Sequence, residues 1–156
     1  MDEGNFNLGR RDFFRRSVGI TGGILLAGSA LGAAGCEETT IKPQAPFTID
    51  GNKLLINVDQ APNLTAPGGH SAFNALGKQI LVFRLTAESV SAISRICTHE
   101  GCDLGDGTVN GDRIVCPCHG SSFLTASGEV VKGPATISVR SFPATLSGNT
   151  IVVDLA

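Results

Sequence analysis

Two short stretches, CTHEGC at residues 97–102 and CPCHGSSF at residues 116–123, decide the fold and the chemistry of this sequence. Each contains a Cys followed closely by a His, as Cys97-x-His99 and as Cys116-x-x-His119. Thiolate sulfur and imidazole nitrogen are ligands of zinc and of iron–sulfur centres. Because the two stretches share this ligand pair, we predict that they form two loops around one metal centre.

Segments with the pattern of β-strands precede both stretches. Residues 79–85 are almost continuously apolar, and residues 90–96 alternate apolar and polar side chains, as half-buried strands do. Asp50-Gly51 and Asn110-Gly111 predict tight hairpin turns. No segment after residue 36 has a long helical period, so we predict an all-β fold of antiparallel sheets. The predicted strands are 47–49, 54–58, 79–85, 90–96, 108–109, 113–115, 137–146 and 150–155.

The composition supports a small globular domain. The chain has 156 residues, a formal net charge of −2 and 42% hydrophobic residues, with only 17% charged. These values argue against polybasic nucleic-acid binding and against intrinsic disorder. The 20 Gly and seven Pro favour short strands and turns, because both residues weaken helix interiors.

The first 36 residues have the features of a targeting segment. GRRDFFR at residues 9–15 resembles the twin-arginine signal, and the chain is uncharged from residue 17 to residue 36. This resemblance implies export to the periplasmic, outer face of the cytoplasmic membrane. LGAAGC at residues 31–36 resembles a lipobox, which predicts lipidation of Cys36. An uncleaved helical anchor and a cleaved, soluble form remain alternatives. We predict a linker over residues 37–46 and one domain over residues 47–156.

The two Cys/His stretches, together with Pro117 and Gly120-Ser121, closely resemble the motif of the Rieske iron–sulfur family. The resemblance implies a Rieske fold, in which a cluster-binding part of about residues 96–136 is inserted in a base domain. It also implies one 2Fe-2S cluster per chain. The implied ligands are Cys97 and Cys116 on one iron, with His99 and His119 on the other.

The same resemblance assigns roles to residues around the ligands. In the high-potential class of the family, Cys102 and Cys118 would form a disulfide that joins the two loops. Ser121 occupies the position of a hydroxyl that donates to a bridging sulfide, and Phe123 stands where a Tyr is common. Gly133-Pro134 resembles the third loop, which shields the cluster. We therefore expect these residues to tune the cluster.

Three other metal or redox sites fit the Cys and His pattern less well. A tetrahedral zinc site would not need the additional Cys in each loop. A four-Cys cluster would leave both His residues without a role. A thioredoxin-like redox pair has two residues between its Cys, whereas Cys116 and Cys118 are separated by one.

The resemblance implies one-electron transfer as the function. The first hypothesis is a subunit of a quinol-oxidising cytochrome bc-type complex, with a cytochrome b subunit as partner and a c-type cytochrome as acceptor. The alternatives are the small subunit of a periplasmic molybdoenzyme, as in arsenite oxidase, and a free-standing lipid-anchored carrier. The ferredoxin component of an aromatic-ring dioxygenase conflicts with the export signal and with the additional Cys pair.

Overall fold

The structure, a computed structural model, describes residues 45–156. The predicted signal segment with Cys36 and most of the predicted linker lie outside these residues. Within the described range, no helix is long and apolar enough to cross a membrane.

The described chain forms three four-stranded antiparallel sheets, which confirms the predicted all-β class. The sheet orders are β1-β2-β12-β11, β10-β5-β4-β3 and β6-β7-β8-β9. Short 3-10 turns connect some of the strands. The strands are β1 (Phe47–Asp50), β2 (Lys53–Asn57), β3 (His70–Ala75), β4 (Lys78–Arg84), β5 (Val90–Ser94), β6 (Thr108–Asn110), β7 (Arg113–Val115), β8 (Ser122–Leu124), β9 (Val130–Lys132), β10 (Ser141–Phe142), β11 (Ala144–Ser147) and β12 (Thr150–Asp154).

Both predicted hairpin turns are present, and in each the loop begins at the Gly, because the residue before it still pairs in the ladder. β1 and β2 pair as predicted, with Gly51 in the left-handed region at φ +56°. In the β6–β7 hairpin Asn110 pairs with Arg113, so the two loop residues are Gly111 and Asp112. Gly111 has φ +62°, which suits the first loop position of a two-residue turn.

Strand β4 of the middle sheet is buried on both faces, which explains its continuous apolar run. Ile80 and Val82 pack into a core shared with the β1-β2-β12-β11 sheet. Leu81 and Phe83 face the opposite way, into a second core shared with the β6-β7-β8-β9 sheet. Since successive residues of a strand point to opposite faces, a strand between two cores has no polar side. The second core is the layer on which the metal-binding loops rest.

The segment predicted as one strand over residues 137–146 is divided in the structure. Residues 141–142 form β10, which pairs with β5 of the middle sheet. Residues 144–147 form β11, which pairs with β12 of the first sheet. Pro143 lies between the two strands and has no N–H for a ladder hydrogen bond, so the chain changes sheets there.

Candidate metal centre

The two Cys/His loops have the same backbone design. In the first loop, Cys97 N–H donates to the Cys102 carbonyl and Gly101 N–H donates to the Cys97 carbonyl, both at 2.8 Å. In the second loop, Cys116 N–H donates to the Ser121 carbonyl at 2.8 Å, and Gly120 N–H donates to the Cys116 carbonyl at 3.1 Å.

A glycine with positive φ closes each of these loops. Gly101 has φ +75° and Gly120 has φ +74°. Side chains with a Cβ rarely adopt this conformation, so each loop needs a Gly four residues after its first Cys. The repeated design presents one Cys and one His from each loop to the same space.

The thiols of Cys97 and Cys116 lie at the floor of this space. Both residues are buried in the second core and neither forms a disulfide. Burial raises the pKa of the Cys97 thiol. Backbone hydrogen bonds from His99 and Glu100 oppose this rise, and the hydrogen bond and charge interaction with Cys116 add to it. Thiols buried in an apolar layer become stable as thiolates when a metal ion balances their charge.

The two imidazole rings lie closer to solvent than the thiols do. The rings of His99 and His119 are 4.9 Å apart between centroids and nearly perpendicular, at 84°. Among the described side chains, the Nδ1 atom of His99 is buried and has no hydrogen-bond partner. A buried nitrogen without a partner is costly, and coordination to a metal ion removes that cost. The side chain of His119 is 46% exposed, so this histidine reaches the surface.

Cys102 and Cys118 form a disulfide, as expected for the high-potential class. Their Cα atoms are 6.5 Å apart, and the bond joins the first loop to the second. The bond closes a loop with a sequence separation of 16, which removes conformational freedom from the unfolded chain.

The third loop is attached to the other two through side-chain hydrogen bonds. Ser121 is fully buried, and its Oγ accepts a hydrogen bond of 2.9 Å from the Ala135 N–H. Since this oxygen accepts, the hydroxyl hydrogen is available to donate elsewhere. Thr98 Oγ donates to the Ile137 carbonyl. Gly133 and Pro134, joined by a cis peptide bond, therefore lie in a loop held beside both metal-binding loops.

Phe123 lies beneath the site. It is fully buried on β8 and belongs to the same core cluster as Cys97 and Cys116. This is the layer where the resemblance places the family's Tyr. A Tyr hydroxyl in this layer would need a buried hydrogen-bond acceptor.

Two charged contacts near the site were not identified from the sequence. Arg95 binds Asp103 through two hydrogen bonds, of which Nε–Oδ1 is 2.7 Å long. Partial burial works to raise the pKa of the Asp103 carboxyl, but hydrogen bonds from Arg95 and from the Gly105 N–H, with the Arg95 charge, lower it overall. This pair closes the base of the first loop, where Ile96 bridges to Asp103.

The second contact lies at the outer edge. The Glu100 carboxylate is 3.6 Å from His119 Nδ1, and both side chains are largely exposed. Nothing local in the sequence indicates either contact, because each joins residues whose proximity depends on the folded loops.

The donor set fits a centre with mixed ligands. The predicted residues Cys97, Cys116, His99 and His119 come from two matched loops, with the thiols buried and the imidazoles nearer the surface. Such a set could hold a 2Fe-2S cluster with two thiolates and two imidazoles. The four residues therefore remain the predicted ligands.

Comparison with known proteins points to the same centre. The family model described as Rieske [2Fe-2S] domain matches residues 41–143, which include both loops and the third loop.

Relatives of two kinds are found. The cytochrome b6-f complex iron-sulfur subunit of Chlorobaculum thiosulfatiphilum is 25% identical over 150 residues, which cover 94% of this chain and 76% of that protein. Ferredoxin CarAc of Metapseudomonas resinovorans is 30% identical over 91 residues, or 58% of this chain and 84% of that protein. Among solved structures, the ferredoxin of carbazole 1,9a-dioxygenase from Nocardioides aromaticivorans IC177 has a TM-score of 0.57 at 29% identity. It covers 65% of this chain and 95% of that one.

Proposed function

Because the chain belongs to the Rieske [2Fe-2S] family, we propose that it serves as the iron–sulfur subunit of a quinol-oxidising cytochrome bc-type complex. Its cofactor is a 2Fe-2S cluster and its function is electron transfer. We propose the complex in which the protein works, the residues that ligate the cluster, and the cellular location.

We assign Cys97 and Cys116 to one iron, and His99 and His119 to the other. The buried Nδ1 of His99, which has no hydrogen-bond partner, supports this assignment. When bound, the cluster gains and loses one electron at a higher potential than an all-Cys cluster, because neutral imidazoles replace two anionic thiolates. Cys97 and Cys116 are buried on the inner side, while the half-exposed His119 would give electrons a route to a partner at the surface.

The choice of complex rests on the share of this chain that aligns with each kind of relative. The b6-f subunit aligns with 94% of this chain, whereas ferredoxin CarAc aligns with 58%. The disulfide between the loops supports the same choice, since the resemblance associates it with the high-potential class.

Purification from native membranes tests this proposal. A tagged chain should carry with it a haem b protein and support quinol-dependent reduction of a c-type cytochrome. His119→Ala should abolish that activity, while a substitution far from the site, such as Lys53→Ala on β2, should not. Co-purification with a molybdopterin subunit, or recovery of the chain alone, would replace this proposal with one of the two alternatives.

We also propose that the chain is exported by the twin-arginine route and attached to the membrane through lipid on Cys36. Replacing both Arg10 and Arg11 by Lys should leave the protein in the cytoplasm, whereas Lys at Arg15 and Arg16 should not. Cys36→Ala should release the exported protein into the soluble fraction. If the exported Cys36→Ala protein stays in the membrane with its signal segment intact, a helical anchor replaces the lipid.

A further inference from the structure

Three sulfur atoms lie unusually close together at this site. The Sγ atoms of Cys102, Cys116 and Cys118 are all within 4.8 Å of one another, and Cys102 and Cys118 are already joined. We propose that loss of the cluster turns Cys116 into an internal nucleophile, which rearranges the disulfide to Cys102–Cys116 and releases Cys118 as a free thiol.

The rearrangement is a balanced thiol–disulfide exchange that needs no oxidant. The Cys116 thiolate forms a bond to the sulfur of Cys102 as the Cys102–Cys118 bond breaks, and the electron pair leaves with Cys118. Among the four Cys of residues 45–156, one disulfide and two free thiols are present before and after.

The surroundings favour attack on Cys102 over attack on Cys118. A bond between Cys116 and Cys118 would have to close a ring across one intervening residue. Cys118 is exposed, so water can solvate its thiolate as it leaves. Cys116 is 3% exposed, and external thiols therefore reach it poorly, whereas the internal disulfide is adjacent.

The cluster prevents the exchange as long as iron holds the Cys116 sulfur. This protective effect rests on the proposed ligand role of Cys116, whereas the exchange itself rests only on the positions of the sulfurs. Rearrangement removes one ligand, so a chain that has lost its cluster could not accept a new one until a reductant opens the new disulfide. The free thiol of Cys118 would mark such a chain.

Thiol mapping of the full chain tests the proposal. A Cys36→Ala background removes the fifth Cys, so two free thiols remain. The cluster is removed anaerobically with an iron chelator, without added thiols, and the protein is kept at mildly alkaline pH for minutes to hours, the time scale of uncatalysed disulfide rearrangement. After acid quenching, maleimide labelling and peptide mass spectrometry identify the free Cys. We expect the label to move from Cys116 to Cys118 while the number of free thiols stays at two.

Matched variants separate exchange from general scrambling. Cys116→Ser and Cys97→Ser each remove one proposed ligand, but only the first removes the nucleophile. The label should therefore appear at Cys118 in Cys97→Ser and not in Cys116→Ser. Circular dichroism of each cluster-free sample checks that the strands persist.

Three results would overturn the proposal. The first is a label that stays at Cys116 in the cluster-free chain. The second is the formation of disulfides containing Cys97 as often as Cys102–Cys116, which would indicate an unfolded chain. Equal exchange in the loaded protein would show that iron does not hold Cys116. None of these results depends on the complex in which the protein works.

Discussion

Replacing Ser121 by Ala removes a hydroxyl that links the second loop to the third. The Oγ atom of Ser121 is buried and accepts a hydrogen bond of 2.9 Å from the Ala135 N–H. Its own hydrogen is available to donate, and the resemblance directs that hydrogen to a bridging sulfide. The substitution should therefore reduce both the stability and the reduction potential.

The two effects have different origins. Ala135 is 5% exposed, so its N–H would lose its acceptor in a buried position, which costs about 1–3 kcal/mol. A donor to the cluster binds the more negative, reduced state more strongly. If that difference is about 1 kcal/mol, its loss lowers the potential by roughly 40 mV on a one-electron scale.

Protein-film voltammetry and thermal unfolding of the same samples measure the two effects. Ser122→Ala is the matched control, because Ser122 is also buried and its hydroxyl makes only a 3.5 Å contact with the Gly120 carbonyl. We expect the potential to fall in Ser121→Ala and to stay close to the wild-type value in Ser122→Ala. A destabilised Ser121→Ala protein with an unchanged potential would refute the hydrogen bond to the cluster and leave Ser121 with a structural role.

Phe123→Tyr adds a hydroxyl to the fully buried layer beneath the site. Donation from this hydroxyl to the Cys97 sulfur should raise the reduction potential by roughly 40 mV. A loss of stability without a rise in potential would mean that the hydroxyl finds no acceptor. Replacing Cys102 and Cys118 by Ser opens a loop with a sequence separation of 16, and denaturant unfolding should show a loss of about 3 kcal/mol. The lowered pKa of Asp103 means that its pairing with Arg95 stabilises the fold above the ordinary carboxyl pKa and that this contribution disappears as the carboxyl is protonated. The free energy of unfolding should therefore decrease less between neutral pH and a pH below about 4 in Asp103→Asn than in wild type. Equal decreases in the two proteins would contradict the pairing.

Local patterns were sufficient to predict much of the fold. Gly51 and Gly111 mark hairpins that the structure contains, and the apolar run of β4 marks a strand buried on both faces. β3 was not among the predicted strands, because its sequence HSAFNA has few residues of high β-propensity. The pairing of β2 with β12 joins the two ends of the domain, and no local pattern specifies such a contact.

Some residues of the candidate site could likewise be predicted from local sequence, and others could not. Its Cys and His residues could be recognised because metal ligands occur at short, regular spacings within each loop. The contacts of Asp103 with Arg95 and of Glu100 with His119 could not, since exposed charged residues have many possible partners until the loops are folded. Pro143 was visible in the sequence, but its effect depends on which sheets flank it.

Histidine ligation of the cluster is the central claim, and pulsed electron paramagnetic resonance of the reduced protein tests it most directly. Protein grown with 15N-labelled histidine should show strong hyperfine coupling to two histidine nitrogens, assigned to His99 and His119. Coupling to one nitrogen should remain in a cluster-loaded His119→Cys variant. A reduced 2Fe-2S signal without histidine coupling would contradict the account.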